Sequence, residues 1–146
     1  MNIVVQKYGG SSVADVQRLK AVAKRIIRAK EAGNRVVAVV SAQGDTTDEL
    51  LAKAGEISSS PPKRELDMLL STGEQISIAL LAMAIAEEGQ PVISLTGAQG
   101  GICTDSLYTK AKILRVDPAR VRKELDDGKI VIVAGFQGIN DLGDIT

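Results

Sequence analysis

The sequence comprises 146 residues, 45% apolar and 25% charged, with 18 basic and 18 acidic side chains balancing to a formal net charge of zero. That length and composition give one domain with a packed core and exclude a disordered chain. Aromatics make up only 2%, and neither stacking platforms nor a basic stripe is available for nucleic acid. The absence of histidine and a single cysteine, Cys103, exclude a disulfide within these residues and histidine-dependent nucleophilic catalysis.

Taken in chain order, Ile3 to Val5 predicts a buried strand. Val13, Val16, Leu19, Val22, Ala23, Ile26 and Ile27 then fall at helical spacing, and Gly33 provides the stop. Between strand and helix lies Lys7-Tyr8-Gly9-Gly10-Ser11-Ser12. Its glycines let backbone N–H groups approach an oxyanion, the helix start adds partial positive charge, and Lys7 adds a full one. This segment suits a phosphate, although Ser12 with Asp15 also matches a helix-start capping pair.

Val36 to Val40, five consecutive apolar residues, predicts a strand covered on both faces. Thr46 and Glu49 match a capping box opening a helix to about Ile57, and Ser58 to Pro62 reads as a surface loop. A helix from about Lys63 leads into Ser71-Thr72-Gly73-Glu74. Beyond it, Ile76 to Ala86 predicts a helix buried on most sides. Pro91 to Leu95 is the next strand, Gly97 to Gly101 a glycine-rich turn, and Ala111 to Val116 a weakly patterned extended segment. Asp117-Pro118 opens a helix that stops at Gly128, and Ile130 to Ala134 is a last strand, expected to leave an exposed apolar sheet edge.

The alternation predicts an α/β fold with a largely parallel sheet and helices on both faces. Ligands in such sheets bind beyond the carboxyl ends of the strands. Four loops satisfy that condition: Lys7 to Ser12, Ser41 to Thr47, Thr96 to Gly101 and Gly135 to Asn140. All are rich in glycine or small hydroxyl residues, which points to a polyanion site. Neither a Walker P-loop nor a Gly-x-Gly-x-x-Gly string after a strand is present. Met1 to Lys7 shows no secretory pattern, and the apolar run Ile78 to Ala86 is too short to span a bilayer. A cytoplasmic location without membrane or nucleic-acid partners is therefore expected.

Four strings together carry a family resemblance. Lys7-Tyr8-Gly9-Gly10-Ser11-Ser12-Val13 resembles the amino-terminal signature of aspartate kinases, in the amino-acid kinase family. The stretches from Val40 to Leu50, Leu70 to Ser77 and Val133 to Gly138 resemble that family's next three motifs, in the same order. The resemblance implies a three-layer α/β sandwich that transfers the γ-phosphoryl group of ATP to the side-chain carboxylate of L-aspartate. The product would be 4-phospho-L-aspartate, on the way to lysine, threonine and methionine. A carboxylate acceptor is already deprotonated at neutral pH, so a histidine base is not required.

By the same resemblance Lys7 is the catalytic cation, and Lys7, Tyr8, Gly9, Gly10 and Ser11 hold ATP. Ser41, Thr47, Glu74 and Phe136 bind the acceptor. Mg²⁺ would bridge the nucleotide phosphates, with no protein ligand assigned to it. Residues 1–146 would be the substrate-binding, amino-terminal portion of such a kinase. A substrate arginine, the nucleotide-binding half and regulatory domains are expected beyond Thr146, so these residues alone are expected to be inactive. The full-length form is expected to be a homo-oligomer.

Bland alternatives stand beside each role. Lys7 could be a solvated strand-end lysine, Thr47 part of a first helical turn, and Glu74 the partner of Ser71 in a capping box. Ser41 and Phe136 could serve packing, and Asp45, Asp48 and Asp126 read as caps or surface. At the level of function, the alternatives are a kinase for another carboxylate or carbamate, and a non-catalytic binding or dimerisation module.

Overall fold

A computed structural model describes residues 1–146. Strand β1 (Ile3–Tyr8) is followed by a 3-10 turn (Gly10–Val13), helix α1 (Val16–Glu31) and β2 (Arg35–Val40). Helices α2 (Thr46–Ile57) and α3 (Lys63–Glu87) then lead to β3 (Val92–Leu95). The short strands β4 (Ile102–Thr104) and β5 (Ile113–Val116), helix α4 (Ala119–Asp126) and β6 (Ile130–Ala134) complete the order.

The main sheet is four-stranded and wholly parallel, in the order β1-β2-β6-β3, while β4 and β5 form a separate antiparallel pair. Alternation along each strand divides the core into two layers. On one face Tyr8, Val36, Ala38, Val40, Ile130, Ile132 and Ala134 meet Leu19, Val22, Ile26 of α1 and Ile78, Leu81, Ile85 of α3. On the other, Val37, Val131, Val133 and Leu95 meet Leu125 of α4. Each fully buried aliphatic side chain contributes about 1.5–3 kcal/mol, so the helix-rich face dominates stability. The α4 layer stops short of β1, where Ile3 and Val5 stay exposed.

Several sequence expectations need correction. The first strand runs on through Lys7 and Tyr8, and α1 starts at Val16 rather than Val13. Its cap is Asp15, which accepts the Arg18 N–H at 2.8 Å, and not Ser12. Thr46 already lies inside α2, whose cap position, Asp45, makes no side-chain bond, so no capping box forms there. Strand β6 is not an edge: it lies between β2 and β3, with all five residues buried. Its neighbour β3 pairs beside it from Val92↔Ile130 to Leu95↔Val133.

The largest difference concerns α3, which is one helix of 25 residues passing straight through Ser71-Thr72-Gly73-Glu74. A capping reading of Glu74 is thereby removed. Gly73 stays in the helix because a Cβ there would lie 2.9 Å from the Ala42 Cβ; glycine lets α3 press against the chain leaving β2. The outer side of the helix is less covered than its apolar run suggests, since Ile76, Leu80 and Met83 are exposed. By length and composition α3 could cross a bilayer. Here its inner face instead buries Asp67, Ser71, Glu74 and Ser77 against the rest of the domain, as a core helix does.

Candidate active site

The carboxyl ends of β1, β2 and β6 open onto a cavity of about 890 Å³. Gly10 and the β2–α2 connection, with Ser41, Ala42, Gly44 and Thr47, form one wall. Asp67, Ser71 and Glu74 of α3 contribute a second, and Gly135 to Gly138, following β6, a third. The β4–β5 pair closes the remaining side with Thr104, Thr109, Lys110 and Ile113. Three of the four loops expected at this edge do converge. The fourth, Thr96 to Gly101, does not line the cavity but braces it: the Gly97 N–H donates to Gln137 Oε1 at 3.2 Å.

Glu74 is the unusual member. It sits mid-helix, 7% exposed, and takes part in none of the chain's ion pairs. Burial pushes its carboxyl above the ordinary range, while its own backbone N–H, the Ala42 N–H and the Gln137 side chain pull the other way. A buried carboxylate without a cation is costly, and a ligand ammonium would relieve it. Ser41, Thr47 and Phe136 join Glu74 around the same cavity.

Phe136 does so in a strained way, at φ +58° with 89% of its surface exposed at the rim, so it serves neither core nor β6 packing. For a bulky side chain this conformation is an outlier of the kind that gathers at functional sites.

The phosphate segment is arranged differently. Gly10 lines the cavity, and a Cβ there would lie 2.7 Å from the Ala42 carbonyl oxygen, so only glycine permits this approach. Lys7, Gly9 and Ser11 are exposed and lie on an open ledge beside the cavity rather than in its wall. Tyr8 turns the other way. Its side chain is buried in the α1–α3 core, its hydroxyl donates to Gln6 Oε1 at 2.8 Å, and its carbonyl accepts the Ser41 N–H at 3.1 Å. Tyr8 therefore positions the ledge and offers no free group to a ligand. Asp126 pairs with Arg35 far from the cavity, in keeping with a surface role.

Two cavity residues escaped sequence reasoning. Gln137 ties three elements together, donating to the Ser71 carbonyl at 3.1 Å while accepting from Gly97. Asp67, buried on α3, accepts the Thr109 N–H from a turn 42 residues away. Neither bond has a local pattern from which it could be read.

The model of the amino acid kinase family matches residues 2–146. The chain belongs to the amino acid kinase family. Among curated members it is 56% identical to an aspartokinase of Geobacillus stearothermophilus over 146 residues, covering all of this chain and 36% of that protein. It thus spans about a third of the length of the curated relatives it matches. Among solved structures, the aspartate kinase from Synechocystis is 51% identical with a TM-score of 0.79, over 95% of this chain and 22% of that one. Escherichia coli aspartokinase III, solved with aspartate and ADP, shares the fold at TM-score 0.85 but only 20% identity, covering this whole chain and 43% of that one. The parallel sheet flanked by helices is therefore an amino acid kinase architecture.

Proposed function

We propose that this chain forms the acceptor-binding portion of an aspartate kinase, which transfers the γ-phosphoryl group of ATP to the side-chain carboxylate of L-aspartate. The observation that carries the reading is Glu74, a buried and unpaired carboxylate on the wall of a cavity at the carboxyl edge of the sheet. An amino acid's ammonium is the partner such a group lacks. The names of the relatives, aspartokinases at 51–56% identity, support aspartate over other carboxylates.

In this reading the acceptor lies with its ammonium on Glu74 and its remaining length between Ser41, Thr47 and the Phe136 rim. Its reacting carboxylate turns toward Gly10. The ledge of Lys7, Gly9, Gly10 and Ser11 faces the transferring phosphoryl group. There Lys7 would neutralise developing charge, and the amides that open the turn, having no intrahelical acceptor, would donate to phosphoryl oxygens. Positioning and charge neutralisation are most of what this reaction needs. Mg²⁺ would be held by the nucleotide phosphates, and no residue of this chain is assigned to it. Placement at the head of lysine, threonine and methionine synthesis, a cytoplasmic location and a homo-oligomeric full-length form belong to the same proposal. A non-catalytic binding module has no observation in its favour.

The test is hydroxylamine trapping of the acyl phosphate, with the full-length protein, MgATP and either L-aspartate or L-glutamate. ATP-dependent aspartyl hydroxamate is the expected product. Hydroxamate from glutamate alone, or none from either, would overturn the reading.

A further inference from the structure

The segment that follows β6, Gly135 to Gly138, is pinned to four other elements. The Gly135 N–H donates to the Val40 carbonyl at the end of β2, at 2.9 Å. Gly138 sits so close to β4 that a Cβ there would lie 2.8 Å from the Ile102 carbonyl oxygen. Between them, Gln137 reaches the other two. Its Oε1 accepts the Gly97 N–H at 3.2 Å, and its Nε2 donates to the Ser71 carbonyl of α3 at 3.1 Å. Gly97 cannot carry a side chain at this contact, because a Cβ would fall 2.1 Å from the Gln137 carbonyl oxygen. The anchors at Gly135 and Gln137 enclose Phe136 and hold its φ of +58°.

These partners fix which way round the amide lies. A backbone N–H can only donate and a carbonyl can only accept, so the NH₂ group must face α3. Ser71 lies three residues before Glu74 on α3, and residues so spaced share a face. One N–H of the amide is taken by Ser71, and the other is left for the Glu74 carboxylate. Burial pushes that carboxyl up, and the Gln137 side chain is among the hydrogen-bond donors that pull it back down. The other charged groups lining the cavity are Asp67, whose oxygens accept the Thr109 N–H, and Lys110 of the β4–β5 connection. Neither forms an ion pair with Glu74, and the wall between β2 and α2 contributes no charge.

Resting on the reading of Glu74 above, we propose that Gln137 is a positioning residue for acceptor binding. Its amide, oriented by Gly97 and Ser71, holds the Glu74 carboxylate in place for the acceptor's ammonium. Gly97 thereby acts on the site from outside the cavity, as the support of that amide.

The experiment measures calorimetric affinities of the full-length protein for L-aspartate and for succinate, its analogue without an ammonium. Wild type, Gln137→Met, Glu74→Gln and the double variant are compared. Gln137→Met should weaken aspartate binding about tenfold, the scale of one hydrogen bond to a charged group, and leave succinate within about twofold of wild type. In Glu74→Gln the same substitution should cost aspartate less than about twofold further, since the group it acts through is gone. Unchanged aspartate affinity in Gln137→Met would overturn the proposal. So would equal losses for aspartate and succinate, or an undiminished loss in Glu74→Gln, either of which marks a merely structural role. Gln137→Glu keeps the Gly97 bond and the side-chain shape, and serves where Gln137→Met does not fold. A second carboxylate facing Glu74 makes it hold its proton more tightly, so the acid-side loss of aspartate affinity should begin at higher pH. An unmoved pH profile in Gln137→Glu would refute the assignment. Hydroxylamine trapping with wild type separates the two readings. Coupling through Glu74 without acyl phosphate leaves Gln137 assigned and the kinase reading failed; acyl phosphate without coupling does the reverse.

Discussion

Gly73 and Gly55 are both helical glycines, yet alanine should act on them in opposite directions. At Gly55, in α2, an added Cβ meets nothing within 4 Å. Gly55→Ala should therefore gain the full helix-propensity difference, about 0.8–1 kcal/mol of stability. At Gly73 the same gain is opposed by the Ala42 Cβ at 2.9 Å, against an ordinary carbon–carbon contact of about 3.5–4.0 Å. Neither atom is the end of a flexible chain, so α3 must back away from the β2–α2 connection by roughly half an ångström or more. Overpacking of this kind costs about 1–3 kcal/mol, which leaves Gly73→Ala net destabilised by up to about 2 kcal/mol. Urea unfolding of the two variants beside wild type reads the signs directly, at constant m-value. Because Ala42 also contacts Glu74 through its N–H, Gly73→Ala should weaken acceptor binding as well. Equal stabilisation by both substitutions would refute the close approach of α3 and with it the placement of Glu74.

Three further outcomes follow from the same geometry. Ile132, fully buried on β6, should lose about 2–5 kcal/mol of unfolding free energy on Ile132→Ala, measured by the same urea titration. Burial raises the Glu74 carboxyl in the folded state, so its ionisation destabilises the empty protein as pH rises through that raised value. Glu74→Gln should thus be more stable than wild type at neutral pH, with the difference vanishing below the ordinary glutamate range, in unfolding curves taken across pH. Asp144 is held below the ordinary carboxylate range by hydrogen bonds from Arg64 and then Tyr108; its stabilisation is present above that range and lost as pH falls through the depressed value. Asp144→Asn should remove this contribution, so its deficit against wild type should shrink as the solution is acidified.

Where a segment's burial is decided locally, the sequence was readable. Val36 to Val40 and Ile130 to Ala134 are continuous apolar runs because both faces of the sheet are covered there, and α1 shows its periodicity because only one side meets the core. The central position of β6 was not readable, since strand order depends on the crossover through α4 rather than on the strand's own residues. Ser71 to Glu74 misled for a related reason. A serine three residues before a glutamate looks like a helix start, whereas Gly73 is there for contact with Ala42. The site divides in the same way. Motif strings identified Gly10, Ser41, Thr47, Glu74 and Phe136, which share one cavity. Tyr8 belongs to the first motif but faces the core, because strand alternation continues through it. Asp67 with Thr109 and Gln137 with Ser71 are joined across the fold, and such bonds leave no trace in spacing.

If Glu74 receives the acceptor's ammonium, the amino group must govern which dicarboxylate the full-length protein phosphorylates. L-aspartate and succinate, which lacks the amino group, are offered to the full-length wild-type protein and to Glu74→Gln with saturating MgATP. Wild type should strongly prefer aspartate in kcat/KM, and Glu74→Gln should lose most of that preference by failing on aspartate alone. Retention of the wild-type preference in Glu74→Gln would contradict the account.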